Sequence, residues 1–274
     1  MMKCADLHMH TFFSDGTHTP EELVRESREA GLYSISIADH DTVEAIEPAL
    51  AEAKKFGIEF LPGIELSVEY KGQEVHILGY LFDYKNKELQ QRLTILQQNR
   101  RERVHKMVAK LRSIGVDLPI DSVFDISKNA TVGRLHVARA MVKEGLVSEV
   151  AVAFDKYIGE KAPAYVCNFR FTPEDAVRLI KQLGGIPIIA HPYTLNNDQL
   201  IPELVSHGIM GLEAYYPQHS SHLTQRYLEL AKQYNLLVTG GSDCHGAAKP
   251  DVKIGSVKIP YELVEKLKKA KGRL

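Results

Sequence analysis

Histidines and carboxylates recur just past short apolar runs along this chain. "ADLHMH" carries His8 and His10, "ISIADH" carries His40, "FLPGIE" carries Glu65, "IPIIAH" carries His191, and "LLVTGGSDCH" carries Asp243 and His245. Between the runs lie segments with helix start and stop signals. In "TPEELVRESREAG" Thr19 caps, Pro20 takes the first turn, Glu22 completes a capping box and Gly31 stops the helix. Such alternation of strand and helix predicts a parallel β/α architecture, and a barrel in particular. In β/α barrels the C-terminal strand ends share one rim, where active sites form. A fold of that kind gathers these dispersed residues at one place.

The alternation continues with a helix at "EAIEPALAEAKKFG", interrupted by proline near its start, and with strands "IEFLPGIELSVEY" and "EVHILGYLF" joined around Lys71–Gly72 as a hairpin. It stops after about residue 85, where the apolar period lengthens to that of a helix. A long helix is predicted over Glu88–Ile114, with the stripe Leu89, Leu93, Leu96, Val104, Met107, Leu111, Ile114. Helical sequence follows, including "TVGRLHVARAMVKEG" and "SEVAVAFDKYIG". At "FTPEDAVRLIKQLGGIPIIAHPY" the strand–helix alternation resumes. The expected organisation is an α/β barrel domain from 1–88 and 168–274, carrying an α-helical inserted subdomain at 89–167.

Composition narrows the function classes. A formal net charge of −1 argues against a surface built for bulk nucleic-acid binding, though not against a local basic pocket for a phosphorylated ligand. Cys4, Cys167 and Cys244 show no CxxC spacing, so neither a disulfide framework nor a zinc knuckle is implied. No basic leader or membrane-length apolar run is present, and the expected location is cytoplasmic.

Residues i and i+2 of a strand point to one face, so His8 and His10 can aim at one point with Asp6 beside them. Imidazoles with carboxylates suit divalent transition metals. His76 begins its strand instead of ending it. If the chain turns at Lys71–Gly72, His76 pairs near Ser67, two residues beyond Glu65, and returns to the same rim.

The set "DLHMH…SDG", "IADHDT", "PGIE", "HILGY", "AHP" and "GSDCHG" resembles the PHP (polymerase and histidinol phosphatase) superfamily. The resemblance implies a distorted seven-stranded β/α barrel, the PHP fold, and a phosphoesterase site of two or three divalent ions: manganese, zinc or iron. The implied ligands are His8, His10, Asp15, His40, Glu65, His76, His191, Asp243 and His245, with Glu65 the candidate bridge. It also implies hydrolysis by a metal-bound hydroxide, with no serine or cysteine nucleophile. Cys244 is expected to pack, Asp39 and Asp41 to orient ligands or shape a turn, and His18 is a candidate for contact with the leaving group.

The helical segment bears on substrate. Arg100 falls within the apolar stripe, and an inward guanidinium needs a carboxylate or phosphate partner. Arg100, Arg103, Arg134 and His136 are the candidate anion contacts. "GRLHVARAMVKEG" and "TGGSDCHG" are similar to the PHP subgroup of nucleoside 3′,5′-bisphosphate phosphatases and 5′-to-3′ exoribonucleases, implying a small phosphorylated substrate, a nucleotide or short RNA, and no stable protein partner. The competing readings are a histidinol-phosphate phosphatase, a non-catalytic PHP accessory module, and a metal-dependent carbon–nitrogen hydrolase. Tyr215 and Tyr216 either line a base pocket or pack, and His105, His207, His219 and His222 are expected at the surface.

Overall fold

The computed structural model describes residues 3–167 and 171–272. The expected domain boundary at 168 lies outside the described residues. The order is β1 (Cys4–Asp6), α1 (Pro20–Glu29), β2 (Ser34–Ile35), α2 (Ile46–Phe56), β3 (Glu59–Phe60), β4 (Gly63–Tyr70), β5 (Gln73–Tyr80), α3 (Lys87–Ser113), α4 (Ile120–Ser127), α5 (Arg134–Lys143) and α6 (Val150–Ala153), which runs into a π turn at Phe154–Ile158. There follow α7 (Pro173–Gln182), β6 (Ile186–Ile189), α8 (Leu200–Ser206), β7 (Gly211–Tyr215), α9 (Ser221–Gln233), β8 (Leu237–Gly240), β9 (Ile259–Pro260) and α10 (Tyr261–Lys271).

The helix starts follow their local chemistry. Thr19 and Thr172 each accept from the backbone N–H three residues on, and Glu22 and Asp175 return the bond to the caps. Each cap is followed by proline in the first turn, where no N–H is needed. Long α3 serves two cores. Leu89, Leu93 and Leu96 pack with Ile77 and Ile180 beneath the sheet, whereas Val104, Met107 and Leu111 pack with Val123, Val137 and Met141 of the helical segment. Ile114, expected in the buried stripe, is the C-cap and is exposed, because the helix ends before its side chain reaches that core.

The strands form two sheets of mixed α/β character, ordered β3-β2-β1-β9 and β4-β5-β6-β7-β8. The expected hairpin forms, β5 running antiparallel to β4, but the parallel expectation for the rest is corrected at two places: β5 also runs antiparallel to β6, and β9 runs antiparallel to β1. The tight Lys71–Gly72 turn, both residues in the left-handed region, forces the β4–β5 reversal. "IEFLPGIELSVEY" divides into β3 and β4 in different sheets, broken at Leu61–Pro62. Glu65 consequently lies inside β4, not past a parallel strand end.

Chain beyond the strand ends joins the sheets. Past β1, Leu7 donates to Gly240 O and His10 to Cys244 O, while Asp243 donates to His8 O. Past β2, His40 bridges in parallel to Glu65, with Glu65 N–H on Asp39 O. Gly241 is required at the first junction, since a Cβ there would lie 2.4 Å from the His8 nitrogen.

Candidate metal centre

Both junctions carry site residues. His8 and His10 leave β1 on one face, and their Nε2 atoms stand 3.1 Å apart. The hairpin register sets Ser67 opposite His76. This brings His76 Nδ1 to 2.9 Å from Glu65 Oε1, the same distance as His191 Nε2. The second Glu65 oxygen, Oε2, faces His8 Nε2 at 3.2 Å, His10 Nε2 at 3.3 Å and His40 Nδ1 at 3.2 Å. One fully enclosed carboxylate thus stands between two sets of imidazoles.

Asp15 and Asp243 flank that centre. His245 Nε2 lies 3.2 Å from Asp15 Oδ1, and His10 Nε2 lies 3.0 Å from Asp243 Oδ1. Three overlapping groups have ligand atoms within 4.8 Å of one another: His10, Asp15, His40, His245; His8, His10, Glu65, Asp243; and His40, Glu65, His76. All nine sequence-picked candidates are therefore brought to one place, with His191 joined through Glu65 and through His76 at 3.3 Å.

Electrostatics shows what such a cluster demands. Burial works against charge on Asp15, Glu65 and Asp243, yet the imidazoles around them, with Lys249 beside Asp243, hold all three well below the usual carboxylate range. Burial also opposes a proton on His10 and His76, but Asp243 and Glu65 for the one, and Glu65 and Glu74 for the other, push them up to about 9. Burial dominates at His40 and holds it well below the ordinary value. Asp15 Oδ1 and His40 Nδ1 are buried and have no hydrogen-bond partner among the described residues. Facing imidazole nitrogens, buried carboxylates and orphaned acceptors form a donor set that fits divalent cations.

Residues behind the donors fix their aim. Glu213, fully buried on β7, places its carboxylate 3.0 and 3.3 Å from His8 Nδ1, and accepts the His191 N–H at 2.8 Å. The Tyr216 hydroxyl donates to Asp243 Oδ2 at 2.7 Å, and Lys249 Nζ to the same oxygen at 3.0 Å. Asp39 accepts from the Thr11 N–H and from Ser14, holding the loop after His10, and Asp6 accepts from the Ser242 and Gly255 amides. Of these, Glu213 and Lys249 went unread in the sequence. A carboxylate inside the apolar run "GIMGLEAYYP" was the available signal for the first; none pointed to the second.

Above the cluster opens a cavity of about 690 Å³. Seven of the nine candidates line it; His8 and His10 lie beneath, fully buried. Arg100, Arg103 and Arg134 reach its wall, beside Phe154, Glu160 and Lys161. Arg100 donates through Nε to Asp41 and through Nη2 to Ser67. Arg103 makes two bonds to Glu74, at 3.1 and 2.6 Å, and one to Val166 O. Arg134, whose side chain is 19% exposed, reaches Glu74 Oε2 at 2.7 Å.

Other candidates lie elsewhere. His136 is buried off the cavity, where its Nδ1 accepts from the Gly133 N–H at the start of α5, and burial pushes it down to about 4. His18 does not line the cavity and pairs with Glu26 at 3.2 Å. Cys244 is buried, its thiol donating to Val252 O. Tyr216 lines the cavity, whereas Tyr215 does not. His105 and His222 are exposed and His207 half-buried. The surface expectation for His219 is corrected: it is buried against Tyr193, Tyr216 and Tyr227 and donates through Nδ1 to Ala214 O, because α9 folds back over β7.

Known proteins share this arrangement of sequence and fold. The PHP domain profile matches residues 6–129. Over 250 residues the chain is 32% identical to a 5′-3′ exoribonuclease of Haemophilus influenzae, covering 89% of this chain and 91% of the relative. Over 256 residues it is 31% identical to a 3′,5′-nucleoside bisphosphate phosphatase of Chromobacterium violaceum, covering 91% and 90%. A Bifidobacterium adolescentis protein classed as a metal-dependent phosphoesterase has a crystal structure that matches with a TM-score of 0.87 at 30% identity, covering 96% of this chain and 94% of that one. No helix among the described residues is long and apolar enough to cross a membrane.

Proposed function

The chain belongs to the PHP family of metal-dependent phosphoesterases, and from that premise we propose that it hydrolyses nucleoside 3′,5′-bisphosphates or the 5′ end of short RNA. One observation carries the proposal: a single cavity has the His/Asp/Glu cluster as its floor and arginines of the helical segment on its wall. A substrate with two phosphates can meet both surfaces at once. The names of the two relatives, a bisphosphate phosphatase and an exoribonuclease, agree with that substrate class.

In this reading His8, His10, Asp15, His40, Glu65, His76, His191, Asp243 and His245 hold two or three divalent ions, manganese, zinc or iron. When bound, such ions supply Lewis acidity toward a phosphoryl oxygen and a nucleophile drawn from water at neutral pH. The residues of the chain do the rest. Glu65, with an oxygen toward each set of imidazoles, is the group that would span neighbouring ions. As an acceptor only, Glu213 would keep a proton on His8 Nδ1, so that with a cation bound Nε2 is the ring nitrogen left free toward the floor. Arg134 would hold the substrate's second phosphate. Arg103 supports it from behind Glu74, and Arg100 ties α3 to the loop at Asp41.

The same premise favours one distorted seven-stranded barrel over two separate sheets. The junctions at Leu7–His10 and at His40–Glu65 would complete a circuit β1-β2-β4-β5-β6-β7-β8. Residues 89–167 then form the insertion that sets specificity, with a helical core of their own.

The test is phosphate release and product analysis with manganese-loaded protein on adenosine 3′,5′-bisphosphate, a 5′-phosphorylated RNA oligomer, histidinol phosphate and AMP. The bisphosphate or the RNA is expected to be preferred. Losing one charge-assisted contact in Arg134→Ala should lower kcat/KM for that substrate by roughly 10–150-fold. Preference for histidinol phosphate, or indifference to Arg134→Ala, refutes the substrate assignment.

A further inference from the structure

Glu74 is buried, and it bonds in two directions at once. Toward the cluster, its Oε1 lies 3.1 Å from His76 Nε2, the ring nitrogen turned away from Glu65. Toward the helical segment, it accepts from Arg103 at 3.1 and 2.6 Å, and from Arg134 at 2.7 Å. Two guanidiniums and an imidazole nitrogen therefore share one buried carboxylate. A carboxylate behind a metal-binding imidazole raises the ligand's basicity and fixes its orientation. A carboxylate seated against an arginine also occupies the place that a substrate phosphate would take.

We propose that Glu74 is a positioning residue that couples the anion seat at Arg134 to the metal ligand His76, acting as a resident stand-in for the substrate's second anion. An entering anion draws Arg134 off Glu74. The released carboxylate then acts more fully on His76 and tightens its hold on the cation. Coupling between two sites is reciprocal, so the cation in turn favours anion entry. The geometry also explains why the arginines arrive from α3 and α5 while the histidine comes from β5: Glu74, two residues before His76 and on the same strand face, is where the helical segment and the strand meet.

The inference rests on His76 as a metal ligand and Arg134 as an anion contact, as proposed above. Its test uses no organic substrate, so an error in the substrate class leaves it standing. Metal-free wild-type and Glu74→Gln proteins are titrated with manganese chloride by calorimetry, and separately with sodium sulfate. Glu74→Gln should weaken one manganese-binding step on the order of 10–100-fold. It should also tighten sulfate binding by about tenfold, the size of one charge-assisted bond no longer shared. That gain must vanish in Glu74→Gln/Arg134→Ala. A purely structural role would weaken both ligands, and that outcome, or no change in either one, overturns the proposal. Should Glu74→Gln fail to fold, Glu74→Asp decides, since it keeps the charge but withdraws it by one methylene. Weaker manganese with tighter sulfate supports the coupling, and any other pattern rejects it.

Discussion

Glu213→Gln changes a charge and almost no volume, yet it must break one of two contacts. The wild-type carboxylate accepts from His8 Nδ1 at 3.0 Å through Oε1, and from the His191 N–H at 2.8 Å through Oε2. An amide has a single oxygen. With that oxygen toward His191, the NH₂ faces His8 Nδ1, which must become an acceptor. The His8 proton then moves to Nε2, the nitrogen aimed at Glu65 and His10. With the oxygen toward His8, the NH₂ opposes the His191 N–H, and a buried donor is left unpaired at about 1–3 kcal/mol. The first orientation would remove a candidate metal ligand and the second would displace one. Loss of such a supporting carboxylate typically costs 10–100-fold in metal affinity, equivalent to roughly 1.4–2.8 kcal/mol. The assay is manganese titration of the metal-free variant by calorimetry, alongside chemical denaturation. Weaker manganese binding of that size, with stability reduced by about 1–3 kcal/mol, is expected. Manganese affinity within about twofold of wild type at unchanged stability would refute the reasoning, because a change of that size is well under 1 kcal/mol.

Other outcomes follow from the same contacts. His10 and His76 carry protons in the metal-free protein up to about pH 9, so manganese uptake at neutral pH must release protons, and apparent affinity should climb with pH toward 9. Titration in buffers of different ionisation enthalpy measures this, and a pH-independent affinity contradicts it. Because these folded-state values lie above the ordinary 6.5, the stability they give the metal-free protein is complete below pH 6.5 and is lost as pH rises through 9. Urea denaturation of metal-free protein at pH 6 and pH 9.5 should show that loss. Arg100→Met breaks a buried pair with Asp41 and should cost about 3–5 kcal/mol in urea denaturation, with a smaller effect on KM than Arg134→Ala. Gly241→Ala puts a Cβ against the His8 backbone and should reduce both manganese content and thermal stability; full metal loading in that variant would show that the junction can yield.

Much of the site was legible because strand alternation and turn chemistry are local. His8 and His10 share a face by period alone, and the Lys71–Gly72 turn set Ser67 opposite His76 without any tertiary information. The sheet order was less legible. β5 runs against its neighbours on both sides, and a single antiparallel hairpin inside an otherwise alternating pattern does not reveal where the reversed strand inserts. The arginines mark a second boundary. Arg100's place in the apolar stripe showed that it faces inward and needs an anion, but sequence spacing could not distinguish Asp41 from a phosphate. Glu213 and Lys249 were missed because their partners, His8 and Asp243, are remote in the chain or follow an irregular loop.

The backbone shows how tightly the candidate ligands are bound to one another. Asp41, His191 and Asp243 are non-glycine residues in the left-handed region, at φ of 50°, 25° and 52°. Conformations of this kind cost of order 1–3 kcal/mol and persist where surrounding contacts over-determine them. Each of the three has its N–H tied to another part of the site: Asp41 to Glu65 O, His191 to the Glu213 carboxylate, and Asp243 to His8 O. The strain is thus held by the strands and side chains that carry or orient the other candidate ligands. A perturbation at one tether is transmitted to its partner, so metal affinity and fold stability should fall together when Glu213 or Gly241 is altered. Where two ligand affinities instead move in opposite directions, as manganese and sulfate are expected to do in Glu74→Gln, the residue concerned is tuning the site rather than supporting it.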